Sequence, residues 1–326
     1  MPSPSLDELE AGVRAGDRAL LAVAITLVES RRVEDQARAA ELLARLRDAV
    51  GSAHRVGISG VPGVGKSTLI EALGVRLVER GSRVAVLAVD PSSTLSGGSI
   101  LGDKARMDRL AQLDAAFIRP SPSASALGGV ARRTRETMAL VEAAGFDVVL
   151  VETVGVGQSE VAVADMVDAF VVLMLPGAGD ELQGIKKGIL ELADVVGVNK
   201  ADGEREALAR EAVRDVTAAL RVARAGDPAA AVSVSALSGA GLSELWAAIA
   251  ARRDALEESG QLEARRAGGR VRWMWTLVEE ELAGAFRNST AVAGALRDTE
   301  SGVRADQMTP EEAAAHLLGL FGINPD

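Results

Sequence analysis

Residues 60–67 read Gly-Val-Pro-Gly-Val-Gly-Lys-Ser and lie between an apolar run and a stretch with helical periodicity. This segment fits the G-x-x-x-x-G-K-S/T pattern, in which backbone N–H groups and a helix N-terminus surround a phosphate. A plain strand-to-helix turn needs one or two glycines, whereas this turn has three and then Lys-Ser. We expect Lys66 to contact β- and γ-phosphates, Ser67 to ligate Mg²⁺ and Thr68 to lie near the α-phosphate. The remaining nucleotide-binding residues predicted for the loop are Gly60, Pro62, Gly63, Val64 and Gly65.

Short Val/Ile-rich runs alternate with helical stretches around this loop. The runs predict strands at residues 55–59, 83–89, 115–118, 147–152, 169–175, 195–199 and 231–235. The intervening stretches predict helices at 66–80, 104–112, 129–143, 182–193, 204–222 and 242–258. Such alternation is typical of βαβ units, so the predicted class is α/β with a mostly parallel sheet flanked by helices. Ligands are then expected at the carboxyl ends of the strands.

Both ends of the chain read as helical extensions. Ser5 with Glu8 predicts a capping box, Asp17 caps a second predicted helix, and a third is expected at 34–50. Near the other end, helical spacing predicts a helix at 270–286, and a Thr-Pro-Glu-Glu sequence predicts a helix start at Thr309. The predicted domains are therefore an N-terminal helical extension (1–52), a phosphate-loop domain (53–260) and a C-terminal helical arm (261–326).

Composition excludes several classes of function. The 326 residues carry a net charge of −10 and no cysteine, so disulfides, thiolate catalysis and cysteine metal sites are excluded. An acidic chain is a poor partner for nucleic acid or a membrane surface, and we expect neither. The two histidines, His54 and His316, lack metal-ligand spacing. We see no signal peptide and no apolar run long enough to span a membrane, so we expect a cytoplasmic protein.

A second motif, Asn199-Lys200-Ala201-Asp202, follows the strand predicted at 195–199. It matches N-K-x-D, which reads guanine. The Asp202 carboxylate accepts hydrogen bonds from N1–H and the N2 amino group of guanine, whereas adenine would leave this buried charge unpaired. Asn199 is expected to brace neighbouring loops, and the Lys200 stem to cover the base. After the next strand, Ser235-Ala236-Leu237 resembles the loop that backs the base through main-chain groups.

The strand predicted at 147–152 ends in Glu152, followed by Thr153, Val154 and Gly155. An acid at this position commonly meets Mg²⁺, and the glycine amide senses the γ-phosphate. We therefore predict a metal-site role for Glu152 and a nucleotide-binding role for Gly155. The next residue is Val156, where small GTPases often carry a glutamine that orients water. Since valine cannot do this, we expect slow intrinsic hydrolysis.

Two further polar loops follow predicted strands. Asp90 and Asp103 bound a polar segment that resembles a first switch, and both carboxylates are candidates for Mg²⁺ binding and catalysis. Solvated loop carboxylates, with Asp103 as a helix cap, are the alternative. The Gly-rich, charged segment 177–188 is read equally well from its residues as a mobile gate or as an ordinary βα loop.

With these segments in place, the chain resembles the methylmalonyl-CoA mutase-associated GTPases of the MeaB/ArgK type, whose human relative is MMAA. The matching stretches are GVPGVGKST (60–68), VDPSS (89–93), GGSILGDKARM (97–107), IRPSPS (118–123), LGGVARRTRE (127–136), VETVGVGQSE (151–160), PGAGDELQGIKKGI (176–189) and NKAD (199–202). They cover the whole central domain.

The resemblance implies a SIMIBI-class P-loop fold with a C-terminal dimerisation arm, and a homodimer. It implies a GTP- and Mg²⁺-dependent chaperone of an adenosylcobalamin-dependent acyl-CoA mutase, with cobalamin belonging to the client. It also implies catalytic or Mg²⁺-site roles for the basic and acidic residues Lys66, Asp90, Asp103 and Glu152. Finally, it implies that the segment 177–188 is an extra switch toward the mutase, with Asp180, Glu181 and Lys186 as its charged residues.

Three other functions stay open at this point. A metallochaperone GTPase usually brings His-rich tails or Cys motifs, and this chain has neither. A kinase of amino-acid transport proteins would use ATP, against which the N-K-x-D motif argues. A nucleotide-gated scaffold with negligible turnover is consistent with Val156.

Overall fold

The structure is a computed structural model that describes residues 4–30, 32–89, 107–120, 127–153, 158–177, 187–223 and 229–323. Within these residues the chain forms seven strands. They are β1 (His54–Gly60), β2 (Val84–Val89), β3 (Ala116–Pro120), β4 (Val148–Thr153), β5 (Ala169–Met174), β6 (Val195–Val198) and β7 (Ala230–Ser233). Each predicted strand is present, and no strand end differs from the prediction by more than two residues.

Helices connect the strands and extend both ends of the chain. In the described residues they are α1 (Leu6–Arg14), α2 (Arg18–Glu29), α3 (Val33–Arg45), α4 (Lys66–Glu79), α5 (Asp108–Ala111), α6 (Leu127–Ala143), α7 (Gln158–Ala164), α8 (Lys187–Leu192), α9 (Glu206–Ala223), α10 (Leu242–Glu258), α11 (Gln261–Asn288), α12 (Thr290–Arg304) and α13 (Pro310–Phe321). None of the helices in the described part of the chain is long and apolar enough to cross a membrane.

The strands form one parallel sheet in the order β3-β2-β4-β1-β5-β6-β7. The predicted α/β class with a parallel sheet flanked by helices is therefore confirmed. The register pairs Ile58 of β1 with Glu152 of β4, and Gly60 with Leu173 of β5. Because all the strands run the same way, the segments that follow β1, β4, β6 and β7 meet at one edge of the sheet.

Apolar side chains fill the space between the sheet and its helices. On one face, α4 buries Leu69, Ile70 and Leu73 against strand residues such as Val56 and Ile58. Burying a leucine or isoleucine side chain of this kind contributes about 1.5–3 kcal/mol, so the start of α4 is fixed firmly against β1.

On the other face, α7 approaches β1 closely at a glycine. A Cβ on Gly57 would lie 2.8–3.2 Å from side-chain atoms of Phe170, Val163 and Val167. Any residue larger than glycine at position 57 would therefore clash with these side chains. The two faces of β1 are thus distinguished, with Val56 and Ile58 toward α4 and Gly57 toward α7.

The chain divides into two compact units, Met1–Arg266 and Ala267–Asp326. The first contains the sheet together with the N-terminal helices. The second contains most of α11 with α12 and α13. The predicted caps are present in both: the Ser5–Glu8 capping box, the Asp17 cap, and a capping box at Thr309 with proline in the first turn.

Three predicted helix ends were wrong. The helix expected at 104–112 begins at Asp108, because Met107 has a non-helical backbone. The helix expected at 34–50 ends at Arg45 and gives way to a short 3₁₀ turn, Arg47–Ala49. The guanidinium of Arg14 holds this end, since it donates to the Arg45 carbonyl at 2.8 Å and to the Asp48 carboxylate at 2.7 Å. The helix expected at 270–286 instead begins at Gln261, directly after Gly260 (φ +67°) ends the preceding helix.

Candidate functional site

The segment 60–67 forms a loop between β1 and α4 whose shape depends on its glycines. Gly65 has φ +97°, and a Cβ there would lie 2.7 Å from the Asn199 amide nitrogen. A Cβ on Gly60 would lie 2.6 Å from the Leu173 carbonyl oxygen. Glycine is therefore required at both positions, because both have a positive φ (+150° at Gly60) and both backbones closely approach neighbouring atoms. Val64 points its side chain into the core, so only its backbone faces the loop.

Lys66, the first residue of α4, is 8% exposed. Its Nζ donates to the carbonyl oxygens of Gly60 at 2.7 Å and Val61 at 3.3 Å, so the ammonium lies within the loop. Burial lowers the pKa of Lys66, and the carboxylates of Glu152 and Glu160 partly oppose this shift. A partly dehydrated cation in such a place gains more from an anionic ligand than a solvated one does.

The hydroxyl of Ser67 donates to Oε1 of Glu152 at 2.8 Å. The strand β4 thus brings its terminal carboxylate to the first turn of α4. A hydroxyl and a carboxylate oxygen side by side are hard oxygen donors, the kind that Mg²⁺ prefers. The described residues contain no group of three or more His, Asp or Glu side chains able to hold a metal, so these two supply only part of a coordination shell.

Asn199, at the end of β6, is buried and connects three segments. Its Nδ2 donates to the Val64 carbonyl at 2.8 Å, and its Oδ1 accepts from the Ala236 amide at 3.3 Å. The next residue, Lys200, has φ +60°, a conformation that costs a residue with a Cβ about 1–2 kcal/mol. Backbone strain of this size is concentrated at ligand-binding sites, and here it lies within the motif predicted to read guanine.

Asp202 and Ser235 lie together beside this junction. The Ser235 hydroxyl donates to Oδ2 of Asp202 at 2.5 Å, and the Ser238 amide donates to the same hydroxyl oxygen at 3.1 Å. Ser235 is fully buried, whereas Leu237 is 86% exposed. The loop therefore fixes the Asp202 carboxylate through Ser235 and exposes the apolar side chain of Leu237 two residues further on.

With this geometry in hand, the chain can be compared with known proteins. Residues 21–291 match the family described as "Methylmalonyl Co-A mutase-associated GTPase MeaB". This chain belongs to the MeaB family. Relatives extend the match over almost the whole chain. A "Putative GTPase" of Caulobacter vibrioides is 54% identical over 99% of this chain and 100% of its own length.

Two further relatives and one solved structure are similar to this chain over most of its length. "GTPase ArgK" of Escherichia coli is 45% identical, covering 94% of this chain and 93% of its own. "Methylmalonic aciduria type A homolog, mitochondrial" of Mus musculus is 43% identical, covering 97% and 79%. A crystal structure titled "LAO/AO transport system kinase" matches with a TM-score of 0.79 at 38% identity, covering 99% of both chains. The fold is thus that of a P-loop GTPase of the MeaB family.

Several predicted site residues lie outside the described part of the chain. They are Asp90, Asp103, Gly155, Asp180, Glu181 and Lys186, together with Val156. The remaining ones lie at one edge of the sheet: the loop 60–68, Glu152, Asn199–Asp202 and Ser235–Leu237. Among these residues, Pro62, Gly63, Thr68 and Leu237 are exposed.

The sequence analysis missed the roles of three hydroxyl side chains. It gave Ser235 a main-chain role only, whereas its side chain holds Asp202. It gave no role to Ser59 and Thr153, which are hydrogen-bonded to each other and fully buried. The available signal was a hydroxyl residue at or next to the carboxyl end of each of two strands, Ser59 in β1 and Thr153 in β4.

Proposed function

We propose that this chain binds GTP with Mg²⁺ at the carboxyl ends of its strands and hydrolyses it. The observation that carries the proposal is the position of the Asn199 side chain. It bonds to the phosphate loop through Val64 and to the base-backing loop through Ala236, so the two halves of a nucleotide site form one hydrogen-bonded unit. The hydrogen bond from Asn199 to Val64 thus joins two motifs that lie 130 or more residues apart in the sequence.

Base choice is assigned to Asp202. Its carboxylate matches the N1–H and N2 amino donors of guanine and has no counterpart on adenine, so ATP leaves a desolvated charge unpaired. The Ser235 hydroxyl at 2.5 Å restrains one carboxylate oxygen, which limits the entropy lost when the base binds. Lys200 and Leu237 cover the two faces of the base.

Phosphate binding is assigned to the loop amides and to Lys66. When phosphate enters, the Lys66 ammonium exchanges its bonds to the loop carbonyls for bonds to β- and γ-phosphate oxygens. Ser67 and Glu152 hold Mg²⁺, with Asp90 and Asp103 completing the acidic set. The metal supplies positive charge against the phosphate oxygens when bound. With Val156 in place of a water-orienting side chain, turnover is slow until a partner completes the site.

The client we propose is an adenosylcobalamin-dependent acyl-CoA mutase, namely methylmalonyl-CoA mutase. In this role the chain is a chaperone that gates loading of the cofactor and protects or reactivates the mutase. The name of the matched family and the name of the mouse relative support this assignment. The segment 177–188, with Asp180, Glu181 and Lys186, is the proposed switch toward the mutase. We also propose a cytoplasmic location, although the mouse relative is named as mitochondrial.

A homodimer is the proposed assembly. In the C-terminal unit, α11 carries an apolar stripe whose members are 39–57% exposed: Val271, Met274, Trp275, Val278 and Leu282. Contiguous exposed apolar surface of this kind is typical of protein interfaces. Leu282→Glu should give a monomer in sedimentation velocity. Arg287→Glu, on the opposite side of the same helix by its spacing, should leave a dimer.

Turnover in the presence and absence of the mutase tests the proposed activity. We expect the wild type to hydrolyse GTP slowly alone and at least tenfold faster with methylmalonyl-CoA mutase. Lys66→Ala should abolish both binding and turnover, since it removes the cation that faces the phosphates. Arg210→Ala, on an exposed part of α9, is the control. Intact GTP binding in the Lys66 variant would exclude the assigned site.

The second candidate function is phosphate transfer from ATP to an amino-acid transport protein, because a matching crystal structure carries a transport-kinase title. The two functions differ in base and in the fate of the phosphate. Labelled γ-phosphate that appears on a protein rather than as free phosphate, with ATP preferred to GTP, would favour the kinase. Release of phosphate from GTP favours the GTPase.

A further inference from the structure

Two buried hydroxyl side chains join the ends of β1 and β4 beneath the nucleotide site. Thr153 Oγ1 donates to Ser59 Oγ at 2.9 Å, and both residues are fully buried. Ser59 directly precedes the phosphate loop, and Thr153 directly follows Glu152. The residues that hold phosphate and metal are thus each one position away from this hydroxyl pair.

The backbone pairing explains why this contact matters. The β1–β4 ladder runs from His54 with Val148 up to Ile58 with Glu152, and Ser59 and Thr153 come next along the two strands. The hydroxyl bond is therefore the first contact beyond the ladder. It lies where the strands give way to the phosphate loop on one side and to residue 154 on the other.

The two faces of the sheet separate this pair from the metal ligands. Alternation along a strand places Ser59 on the same face as Gly57, toward α7, and Ile58 on the face toward α4. Glu152, in register with Ile58, reaches Ser67 on α4. The hydroxyl pair thus holds the strand ends from the face opposite to the one on which Glu152 meets Ser67.

A buried hydroxyl is costly unless it is bonded, and an alanine or valine would fit these strands without that cost. Here the Thr153 hydroxyl donates and the Ser59 hydroxyl oxygen accepts. The bond also restrains the distance between the ends of β1 and β4, because hydrogen-bond lengths vary over only a narrow range. Metal coordination at hard oxygen ligands depends on such spacing, since Mg²⁺ demands near-ideal geometry.

We propose that Ser59 and Thr153 are positioning residues that fix Glu152 relative to Ser67 and so set the affinity for Mg²⁺ with bound nucleotide. This inference rests on the proposed function, because it assigns the metal to those two ligands. It adds two residues that never touch nucleotide or metal and act through the strand ends.

The readout is the dissociation rate of a fluorescent GDP analogue from the full-length chain, measured across Mg²⁺ concentrations. Thr153→Val keeps the shape of the side chain and removes its hydroxyl. It should raise the Mg²⁺ concentration that gives half-maximal slowing by about fivefold, the effect of one lost hydrogen bond. Ser59→Ala should give a similar shift. Thr153→Ser keeps the hydroxyl and should therefore keep the wild-type midpoint.

Controls separate this role from a general loss of stability. Thr299→Val removes another buried hydroxyl, which bonds to the Ala295 carbonyl in the C-terminal unit, and should leave the Mg²⁺ midpoint unchanged. In the double variant Ser59→Ala/Thr153→Val, the shift should be no larger than in either single variant, because one bond is removed in all three.

Unchanged Mg²⁺ midpoints in Thr153→Val and Ser59→Ala would overturn the inference. If Thr153→Val does not fold, Ser59→Ala alone decides, since it deletes a single oxygen atom. Failure of the proposed function is distinguishable: wild-type GDP dissociation would then show no response to Mg²⁺ at all.

Discussion

At the amino ends of β5 and β6, Asp168 and Asp194 are held by arginines, whereas at the carboxyl ends of β4 and β6, Glu152 and Asp202 are held by serine hydroxyls. The first pair is almost fully buried, at 0% and 4% exposure, and the second is partly exposed. The same parallel sheet thus carries carboxylates at both edges in two different environments.

The amino-end cluster consists of Asp168 and Asp194 with the arginines that bind them. Arg266 donates to both oxygens of Asp168, at 2.8 and 2.7 Å, and Arg265 donates to both oxygens of Asp194, at 3.2 and 2.9 Å. Arg252 adds a bond to Asp194 at 3.1 Å. Arg265 and Arg266 lie in the first turns of α11, which explains why this helix begins earlier than its apolar spacing predicts.

The carboxyl-end cluster consists of Glu152 and Asp202 with Ser67 and Ser235. Each carboxylate accepts a hydroxyl bond, at 2.8 and 2.5 Å respectively. A hydroxyl orients a carboxylate without cancelling its charge. Bonds from arginine to both oxygens neutralise Asp168 and Asp194 within the fold, whereas under the proposed function Glu152 serves a cation and Asp202 serves guanine.

The largest effect is expected from Asp202→Asn. The amide cannot accept both guanine donors but can donate to the extra oxygen of xanthine. Competition between GTP and xanthosine triphosphate should therefore shift by about a thousandfold toward xanthine, or about 4 kcal/mol. A GTP preference that stays at the wild-type value would remove Asp202 from base reading and would weaken the contrast between the two clusters.

The second prediction concerns Arg266→Met. Asp168 would keep a buried charge without its main partner, so the free energy of unfolding should fall by about 3 kcal/mol or more. Urea denaturation followed by tryptophan fluorescence measures this. Affinity for a GDP analogue should not change, because the substitution lies at the opposite edge of the sheet.

The matched control is Arg210→Met. Arg210 pairs with Glu206 across one turn of α9 at 2.5 Å, and both side chains are about 60% exposed. Its loss should change the free energy of unfolding by less than about 1 kcal/mol. A strong loss of nucleotide affinity in Arg266→Met, with the protein still folded, would show that the amino-end cluster is not purely structural.

The third prediction is a pH effect at His54, the first residue of β1. Burial, followed by the nearby charge of Arg253, lowers the pKa of His54 to about 4, against an opposing effect of Asp168. The ring is 5% exposed and lies 5.3 Å from Trp246. Since the pKa is lower in the folded state, the neutral ring stabilises the fold above about pH 6.5, and this contribution is lost as pH falls toward about 4.

The free energy of unfolding should therefore fall by on the order of 2 kcal/mol between pH 6.5 and 4 in the wild type. His54→Gln should lose this slope, and His316→Gln, at the other and exposed histidine, should keep it. Asp168 titrates separately. Burial alone would raise its pKa, but the bond and charge of Arg266 outweigh burial and lower it, so its contribution disappears only below about pH 3.9. A slope that persists in His54→Gln would contradict this assignment.

Contiguous motifs made much of the molecule predictable. The phosphate loop and the N-K-x-D segment are each defined by neighbouring residues, and Val-rich runs of strand length gave the parallel sheet. The contacts that distinguish the two clusters join residues 33 to 98 positions apart: Ser235 with Asp202, Arg265 with Asp194, and Arg266 with Asp168. Local propensity and periodicity carry no information on such pairs, because strand order and register decide them.

The same reason explains the error at α11. Apolar spacing begins near residue 270, so the sequence pattern starts the helix there. Its first turns are instead fixed by Arg265 and Arg266. Their side chains form ion pairs with the buried Asp194 and Asp168, which directly precede β6 and β5. From its sequence, a charged helix start of this kind resembles a solvent-exposed helix face. It can be recognised as buried only when the positions of the aspartates that it pairs with are known.

Displacement of a bound fluorescent GDP analogue from the wild-type chain by GTP and by ATP, in the presence of Mg²⁺, is the most direct test of a guanine-specific phosphate-loop site. GTP should displace the analogue at a concentration at least about a hundredfold below that required for ATP, because only guanine pairs with the Asp202 carboxylate. Equal displacement by the two nucleotides would contradict the assignment of this edge of the sheet as a GTP site.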